Sequence, residues 1–242
     1  MRRYLLGALV VMLCSIAASA QTVDELLAKY VKTIGGMDKI AAIKSMRSTG
    51  KFDGGGGFQA VVIQENKRPS SVREDFLIQG FTATSAYDGR SGWKVNPFSG
   101  KKDAETLGEE ELKSIVEDSD FDGPLINYKE KGNKIEFVDK EDFEGSDVYK
   151  LKVTLANGTL KWYYLDADFY VPIKIETKHI TRGTEIDSET ILGDYKEAAG
   201  VFFPFSYQSG AKGSSNKSTI TYDKIEINPT LDDSRFVMPA KK

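Results

Sequence analysis

Histidine and cysteine, which supply many catalytic groups and metal ligands, each occur once in the sequence, as His179 and Cys14. A Ser-His-Asp triad or a histidine-ligated zinc site would have to use His179. His179 shares one face of a predicted strand with Ile175 and Thr177, which is an ordinary structural position. The sequence also lacks the HExxH, GxSxG, GxGxxG and EF-hand spacings. We therefore expect no catalytic residue, no metal site and no cofactor.

Closely spaced carboxylates are the other residues that could do chemistry. Asp166 with Asp168, Asp232 with Asp233, and the stretch Asp139–Asp142 could supply a glycosidase pair or a calcium site. Each lies where a turn is expected, and turn geometry alone favours aspartate at such positions. A hydrolase that uses Asp or Glu is therefore the weaker of the functional interpretations.

The first twenty residues have the pattern of a secretory signal peptide. Arg2-Arg3 is positively charged, Leu5–Leu13 is apolar, and Ala18-Ser19-Ala20 is typical of a cleavage site. The apolar stretch is short for a membrane span, so we expect no stable transmembrane insertion. We expect export to the periplasm and cleavage before Gln21.

Cleavage would leave residues 21–242 as a single domain without Cys14, and therefore without thiols or disulfides. That domain has 31 basic and 36 acidic residues, because two of the 33 basic residues lie in the leader, and its net charge is −5. A negative charge of this size argues against nucleic acid as a partner.

The stretch Asp147–Ile180 predicts an antiparallel ribbon with one apolar face. Apolar and polar residues alternate before Asn157-Gly158, a dipeptide typical of a two-residue hairpin turn. Such a turn would place Val153 opposite Trp162 and Leu151 opposite Tyr164. Six side chains would then share one face: Leu151, Val153, Leu155, Leu160, Trp162 and Tyr164.

Two amphipathic helices are predicted, one before the strands and one between them. Thr22 and Glu25 predict a capping box at the start of the first helix, and Thr106 and Glu109 predict another at the start of the second. Each helix carries an apolar stripe that must pack on the sheet, either as a permanent part of the core or as a lid. The proposed lid residues are Leu26, Leu27, Tyr30, Leu112 and Ile115.

The remaining patterns predict a mainly β protein with about 11–12 strands. No helix lies between successive strands, so a parallel sheet is not expected. The fold class is a single unclosed antiparallel β-barrel, with the N-terminal and mid-chain helices capping an apolar cavity. A barrel this wide cannot be filled by its own side chains, although a closed sandwich with an ordinary aromatic core remains an alternative.

Several turn-and-strand segments resemble outer-membrane lipoprotein-sorting proteins of the LolA/LolB-like superfamily. They are Gly92-Trp93 with Pro97, Tyr164–Asp168 with Pro172, Gly193–Tyr195 with Gly200–Pro204, and Leu231–Phe236 with Pro239. The resemblance covers most of residues 21–242. It implies an unclosed barrel of about eleven antiparallel strands, capped by helices and holding acyl chains. The sorting carrier of this superfamily passes lipoproteins from an inner-membrane transporter to an outer-membrane receptor, and relatives bind other lipids or sense envelope stress.

We therefore expect a non-enzymatic periplasmic carrier or binder of lipid or lipoprotein acyl chains. The alternative is a module that uses the same sheet to bind an envelope protein or to act as a sensor. The residues expected to form the apolar wall are Trp93, Leu151, Val153, Trp162, Tyr164, Phe203 and Phe205.

Overall fold

The computed structural model describes residues 22–100, 103–181 and 184–240. The predicted signal peptide and Cys14 lie outside the described residues. The described part of the chain is mainly β, with thirteen strands in one antiparallel sheet and three α-helices. The strands are β1 (Ser45–Asp53), β2 (Gln59–Lys67), β3 (Ser71–Ile78), β4 (Phe81–Tyr87), β5 (Gly92–Val95), β6 (Glu105–Thr106), β7 (Lys134–Phe143), β8 (Ser146–Thr154), β9 (Leu160–Asp166), β10 (Pro172–Thr181), β11 (Thr184–Ala198), β12 (Val201–Ala211) and β13 (Ser218–Ile227).

The sheet is an unclosed barrel, as the sequence predicted. Its strand order is β6-β5-β4-β3-β2-β1-β13-β12-β11-β10-β9-β8-β7. The first and last strands of the chain, β1 and β13, thus pair in the middle of the sheet, and β6 and β7 are the two free edges among the described strands. Because β6 and β7 are consecutive in the chain, the connection between them, residues 107–133, runs from one edge of the opening to the other.

The predicted register of the β8–β9 ribbon is wrong by one residue. Leu151 pairs with Tyr163, and Trp162 pairs with Lys152. The cause is the turn, in which the Leu155 amide donates to the Thr159 carbonyl and three residues rather than two form the loop, with Gly158 at φ 85°. A shift of one residue moves every following side chain to the other face of the sheet.

We call the sheet face that carries Leu151, Tyr163 and Ile175 the inner face, and the opposite one the outer face. Trp162 and Tyr164, which were predicted to share a face with Leu151, therefore lie on the outer face.

Helix α1 (Val23–Thr33) begins as predicted. The Glu25 amide donates to the Thr22 hydroxyl, and the Thr22 amide donates to the Glu25 carboxylate. Its apolar stripe packs on the inner face, where Leu26 and Leu27 join a buried cluster with Leu151. A short helix, α2 (Met37–Ala42), follows after Gly35 and Gly36.

Helix α3 (Glu109–Asp118) begins later than the sequence predicted. Thr106 belongs to β6 and does not cap the helix. The free backbone amide at Gly108 donates instead to the carboxylate of Glu111, which satisfies one of the unpaired donors of the first turn. Two short 3-10 helices complete the described elements, Pro97–Ser99 and Asp233–Arg235.

Residues 119–133 form a third cover on the inner face, beside α1 and α2. Leu125 joins the buried cluster around Leu26, and Ile126 joins a second cluster with Ile34 of α1 and Ile40 of α2. These clusters fix the 119–133 segment between the two N-terminal helices and the sheet.

Candidate ligand-binding interior

An apolar cavity of about 280 Å³ lies on the inner face, beneath α1, α2 and the 119–133 segment. Ligand pockets usually hold about 300–1,000 Å³, so this cavity is near the lower limit of the range. It has room for part of one acyl chain with the covers in their present position. Apolar side chains from the helices, the segment and the sheet line it, among them Ile34, Ile40, Leu125, Ile126, Ile175 and Leu192.

Four tyrosines also line this cavity: Tyr30, Tyr163, Tyr195 and Tyr207. Burial raises the pKa of Tyr30 to about 12 and raises the pKa of the other three as well. All four are therefore neutral phenols at ordinary pH, each with one hydrogen to donate.

Only one of these hydroxyls has a protein acceptor within the described residues. Tyr195 donates to the carbonyl oxygen of Pro172 over 2.6 Å. The hydroxyls of Tyr30, Tyr163 and Tyr207 make no hydrogen bond to another described residue. An apolar cavity with unpaired donors fits a ligand that is mostly hydrocarbon and carries a few carbonyl oxygens.

The predicted wall residues are divided among four places, three of them on the inner face. Phe203 lines the cavity. Leu151 and Val153 are fully buried beside it, but α1 covers them. Phe205 packs farther along the inner face against Val62.

The two tryptophans and Tyr164 are on the outer face, away from the cavity. Trp93 is 3% exposed because the C-terminal tail covers it, and its indole donates to the carbonyl oxygen of Phe236 over 2.7 Å. Tyr164 lies beneath Lys150 and Lys174. We expected Trp93, Trp162 and Tyr164 on the inner face, but the structure places all three on the outer face.

The predicted lid residues also differ from one another in burial and in what they contact. Leu26 and Leu27 are 0% and 6% exposed, so they are core residues, whereas Tyr30 on the same helix lines the cavity. Leu112 packs close to Gly92 of β5, where an added Cβ would lie 2.9 Å from the leucine, and Ile115 is 8% exposed. Helix α1 thus packs on the sheet through core leucines and a cavity-lining tyrosine, whereas α3 packs near β5.

Helix α3 bridges the opening of the barrel. At one end Leu112 contacts β5, and at the other Glu117 forms an ion pair with Lys161 of β9 over 2.9 Å. Glu117 also accepts hydrogen bonds from Asn157 and Thr159 of the β8–β9 turn. Although burial opposes its charge, Lys161 and these donors lower the pKa of Glu117, so the contact is ionised at neutral pH.

The 119–133 segment is held by a contact that the sequence analysis missed. The guanidinium of Arg68 donates to both carboxylate oxygens of Asp122 and to the carbonyl oxygens of Ile40 and Ile43. It also lies 4.6 Å from the ring centroid of Phe121. A single arginine therefore joins the 119–133 segment to α2 and the end of β2.

No family model matches the sequence, and no curated protein matches it. Solved structures do match the fold. A LolA superfamily protein from Nitrosomonas europaea is 13% identical, with a TM-score of 0.59 over 90% of this chain and 98% of that one. A domain assigned to outer membrane lipoprotein sorting from Vibrio parahaemolyticus is 12% identical, with a TM-score of 0.53 over 89% and 97%.

A DUF1329 family protein from Desulfovibrio piger is 11% identical, with a TM-score of 0.51 over 90% of this chain and 98% of that one. In the described residues, no helix has both the length and the apolar character needed to cross a bilayer. The open thirteen-stranded sheet, its helical covers and these three similarities lead to one conclusion: the chain has a LolA-like fold.

Proposed function

We propose that this protein is a non-enzymatic carrier or binder of lipid or lipoprotein acyl chains in the periplasm. The observation that carries the proposal is an apolar cavity lined by three tyrosines whose hydroxyls have no hydrogen-bond partner among the described residues. The LolA-like fold supports it, since one structure with that fold is assigned to lipoprotein sorting.

The driving force for binding is the removal of hydrocarbon from water. Each methylene buried contributes about 0.8 kcal/mol, so a chain gains affinity with every group that enters the cavity. The unpaired phenols would also orient the ligand, because Tyr30, Tyr163 and Tyr207 can donate hydrogen bonds to the carbonyl oxygens of ester or amide linkages.

Uptake of a full chain requires a cover to move. A cavity of about 280 Å³ is too small for two chains, and α1 is fixed by its fully buried leucines. The moving part in this proposal is α3 together with the 119–133 cover that follows it directly. The far end of α3 is held by the polar contacts of Glu117.

Native mass spectrometry of protein purified without detergent tests the proposal. We expect bound lipid in the purified protein and, after delipidation, saturable binding of a fluorescent fatty acid. Lipid-free protein that also fails to bind the fatty acid would refute it.

A second candidate is an envelope protein-binding module, favoured by the edge strand β7. One side of β7 has no neighbouring strand among the residues that the structure describes, and Phe137 and Val138 on it are 39% and 47% exposed. An extended peptide could add to such an edge. Retention of a protein partner from envelope extracts after delipidation, with loss of that partner on Val138→Pro, would favour this candidate.

A further inference from the structure

A second group of polar side chains lies on the inner face, on strands β2 and β3. Gln64 of β2 pairs with Glu74 of β3 and accepts a hydrogen bond from the hydroxyl of Tyr222 over 2.6 Å. Asp118, the last residue of α3, faces the same region, because both Glu74 and Asp118 act electrostatically on Tyr222. The barrel thus brings two carboxylates together between the sheet and α3.

These two carboxylates have no partner in the described part of the chain. Neither the side chain of Glu74 nor that of Asp118 accepts a hydrogen bond or forms an ion pair there. The cation that acts on Asp118 is Lys161, which is already paired with Glu117. Counting Glu74, Asp118, Glu117 and Lys161, the region has a net charge of −2 when all four are ionised.

An independent observation points to a ligand in the same place. The side-chain oxygen of Asn66 on β2 has no hydrogen-bond partner in the described part of the chain, although the residue is only 4% exposed. Its amide nitrogen lies 3.5 Å from the carbonyl oxygen of Asp118, which fixes the oxygen as the free atom of the pair. Buried polar atoms nearly always have a partner, so this lone acceptor, on the same sheet face as Glu74 and close to the backbone of Asp118, indicates a donor supplied by a ligand.

We propose that the oxygens of Asn66, Glu74 and Asp118 bind the primary ammonium group of an amphiphilic ligand. An ammonium group has three N–H donors and no acceptor, and it carries the charge that the region lacks. A metal ion is less suited, because no group of three or more His, Cys, Asp or Glu side chains is placed for a metal in the described residues. This assignment rests on the proposed function, since it names the head group of the ligand whose chain enters the cavity.

The ammonium site and the cavity are adjacent. Tyr207 lines the cavity, and its ring packs edge-to-face on that of Tyr222 with centroids 5.8 Å apart. Tyr222 is hydrogen-bonded to Gln64, the neighbour of Glu74. A ligand with its chain among the tyrosines could therefore place its head group beneath the end of α3.

The electrostatics of these carboxylates agree with this assignment. Burial, with a contribution from Asp118, raises the pKa of Glu74 to about 7. Asp118 is exposed and Glu74 is half-buried, so a ligand can reach both carboxylates. Desolvation by the surrounding protein raises the pKa of Asp118 to about 6, against the opposing effect of Lys161. A bound ammonium group would stabilise the ionised form of both carboxylates.

The test compares three amphiphiles with the same chain: dodecylamine, dodecanol and dodecanoic acid. Their dissociation constants are measured at neutral pH by displacement of a fluorescent fatty acid from delipidated protein. We expect wild-type protein to bind dodecylamine at least about tenfold more tightly than dodecanol, since a hydrogen bond to a charged group contributes about 1.5–3 kcal/mol.

The variants Glu74→Gln and Asp118→Asn should each lower the affinity for dodecylamine to about that of dodecanol, and leave dodecanol binding unchanged. The matched control is Glu136→Gln, whose side chain is 66% exposed on β7 and which should keep the full preference for the amine.

Equal affinity of wild-type protein for dodecylamine and dodecanol would overturn the ammonium site and leave the carrier function standing. Failure to bind any of the three would overturn the carrier function, and the ammonium site with it. Calcium chloride that raises the melting temperature of wild-type protein but not of Glu74→Gln would assign the site to a metal instead. The comparison of the three ligands on wild-type protein decides the question even where a variant does not fold.

Discussion

Glu117 of α3 and Lys161 of β9 form an ion pair 2.9 Å long, with side chains only 14% and 18% exposed. The pair joins the helix that follows edge strand β6 to the β8–β9 hairpin, which lies next to edge strand β7. This contact, with the hydrogen bonds that Asn157 and Thr159 donate to Glu117, connects the two sides of the opening.

We predict that Glu117→Gln loosens α3 and speeds ligand uptake. Loss of the charge leaves Lys161 partly buried without its partner, which should lower the free energy of unfolding by about 1–3 kcal/mol. Stopped-flow association of a fluorescent fatty acid should be faster than in wild-type protein, and hydrogen exchange in residues 109–118 should increase. The control is Glu109→Gln at the exposed start of the same helix. Unchanged exchange in α3 would show that the ion pair does not hold the helix.

A second prediction concerns the volume of the cavity. Ile175→Trp should fill the space beside Tyr163 and Tyr195 and lower the affinity for a fatty acid by tenfold or more. Leu77→Trp is the control, since Leu77 is 38% exposed and belongs to β3, outside the cavity lining. Equilibrium titration with a fluorescent fatty acid measures both. Equal affinity in the two variants would place the binding site elsewhere.

Arg68 provides a third prediction. Arg68→Lys keeps the charge but cannot donate to Asp122, Ile40 and Ile43 together, so the free energy of unfolding should fall by about 2 kcal/mol. Hydrogen exchange in residues 119–133 should rise more than in α1. The same substitution at the exposed Arg90 should alter neither quantity. Protection of the 119–133 segment equal to that in wild-type protein would contradict this role for Arg68.

The fourth prediction is a pH dependence of stability in ligand-free protein. Burial raises the pKa of Glu74 from 4.5 to about 7, so the folded protein keeps a proton that the unfolded chain has lost in this window. The free energy of unfolding contributed by Glu74 is therefore complete below the unfolded pKa and is lost as the pH rises through the folded one.

Glu74→Gln removes that dependence. At about pH 8 the variant should be more stable than wild-type protein by about 2 kcal/mol, and at about pH 4 the two should match. Thermal unfolding followed by circular dichroism measures both differences, with Glu136→Gln as the control. A variant that is less stable than wild-type protein at both pH values would mean that ionised Glu74 is stabilised by the fold.

Local patterns predicted the parts of the fold that depend on local interactions. The capping box of Thr22 and Glu25 placed α1 correctly because both groups lie within four residues of each other. The unclosed antiparallel sheet followed from the alternation of apolar residues and the absence of helices between successive strands.

The predictions were wrong where the outcome depended on the length of one turn or on contacts between residues far apart in the chain. Asn157-Gly158 fits both a two-residue and a three-residue loop, and the longer loop moved Trp162 and Tyr164 to the outer face. Trp93 is buried by Phe236, a residue far along the chain. The 119–133 segment has no apolar periodicity, and only its contacts with Arg68 and the helices give it a fixed position.

The sequence contains one indication of the proposed ammonium site. Glu74 falls between Val72 and Phe76 on the apolar face of its strand, where a charged residue is unusual. Asp118 could not have been paired with it, because only the tertiary fold brings the end of α3 to strand β2.

The most direct test of the carrier function is photo-crosslinking with a diazirine-labelled fatty acid, followed by peptide mass spectrometry. We predict that the label attaches to Tyr30, Phe203 or Tyr207, which line the cavity, and that unlabelled fatty acid competes with it. Labelling confined to outer-face residues such as Trp162, or labelling that excess fatty acid does not reduce, would contradict an acyl chain held between the helices and the sheet.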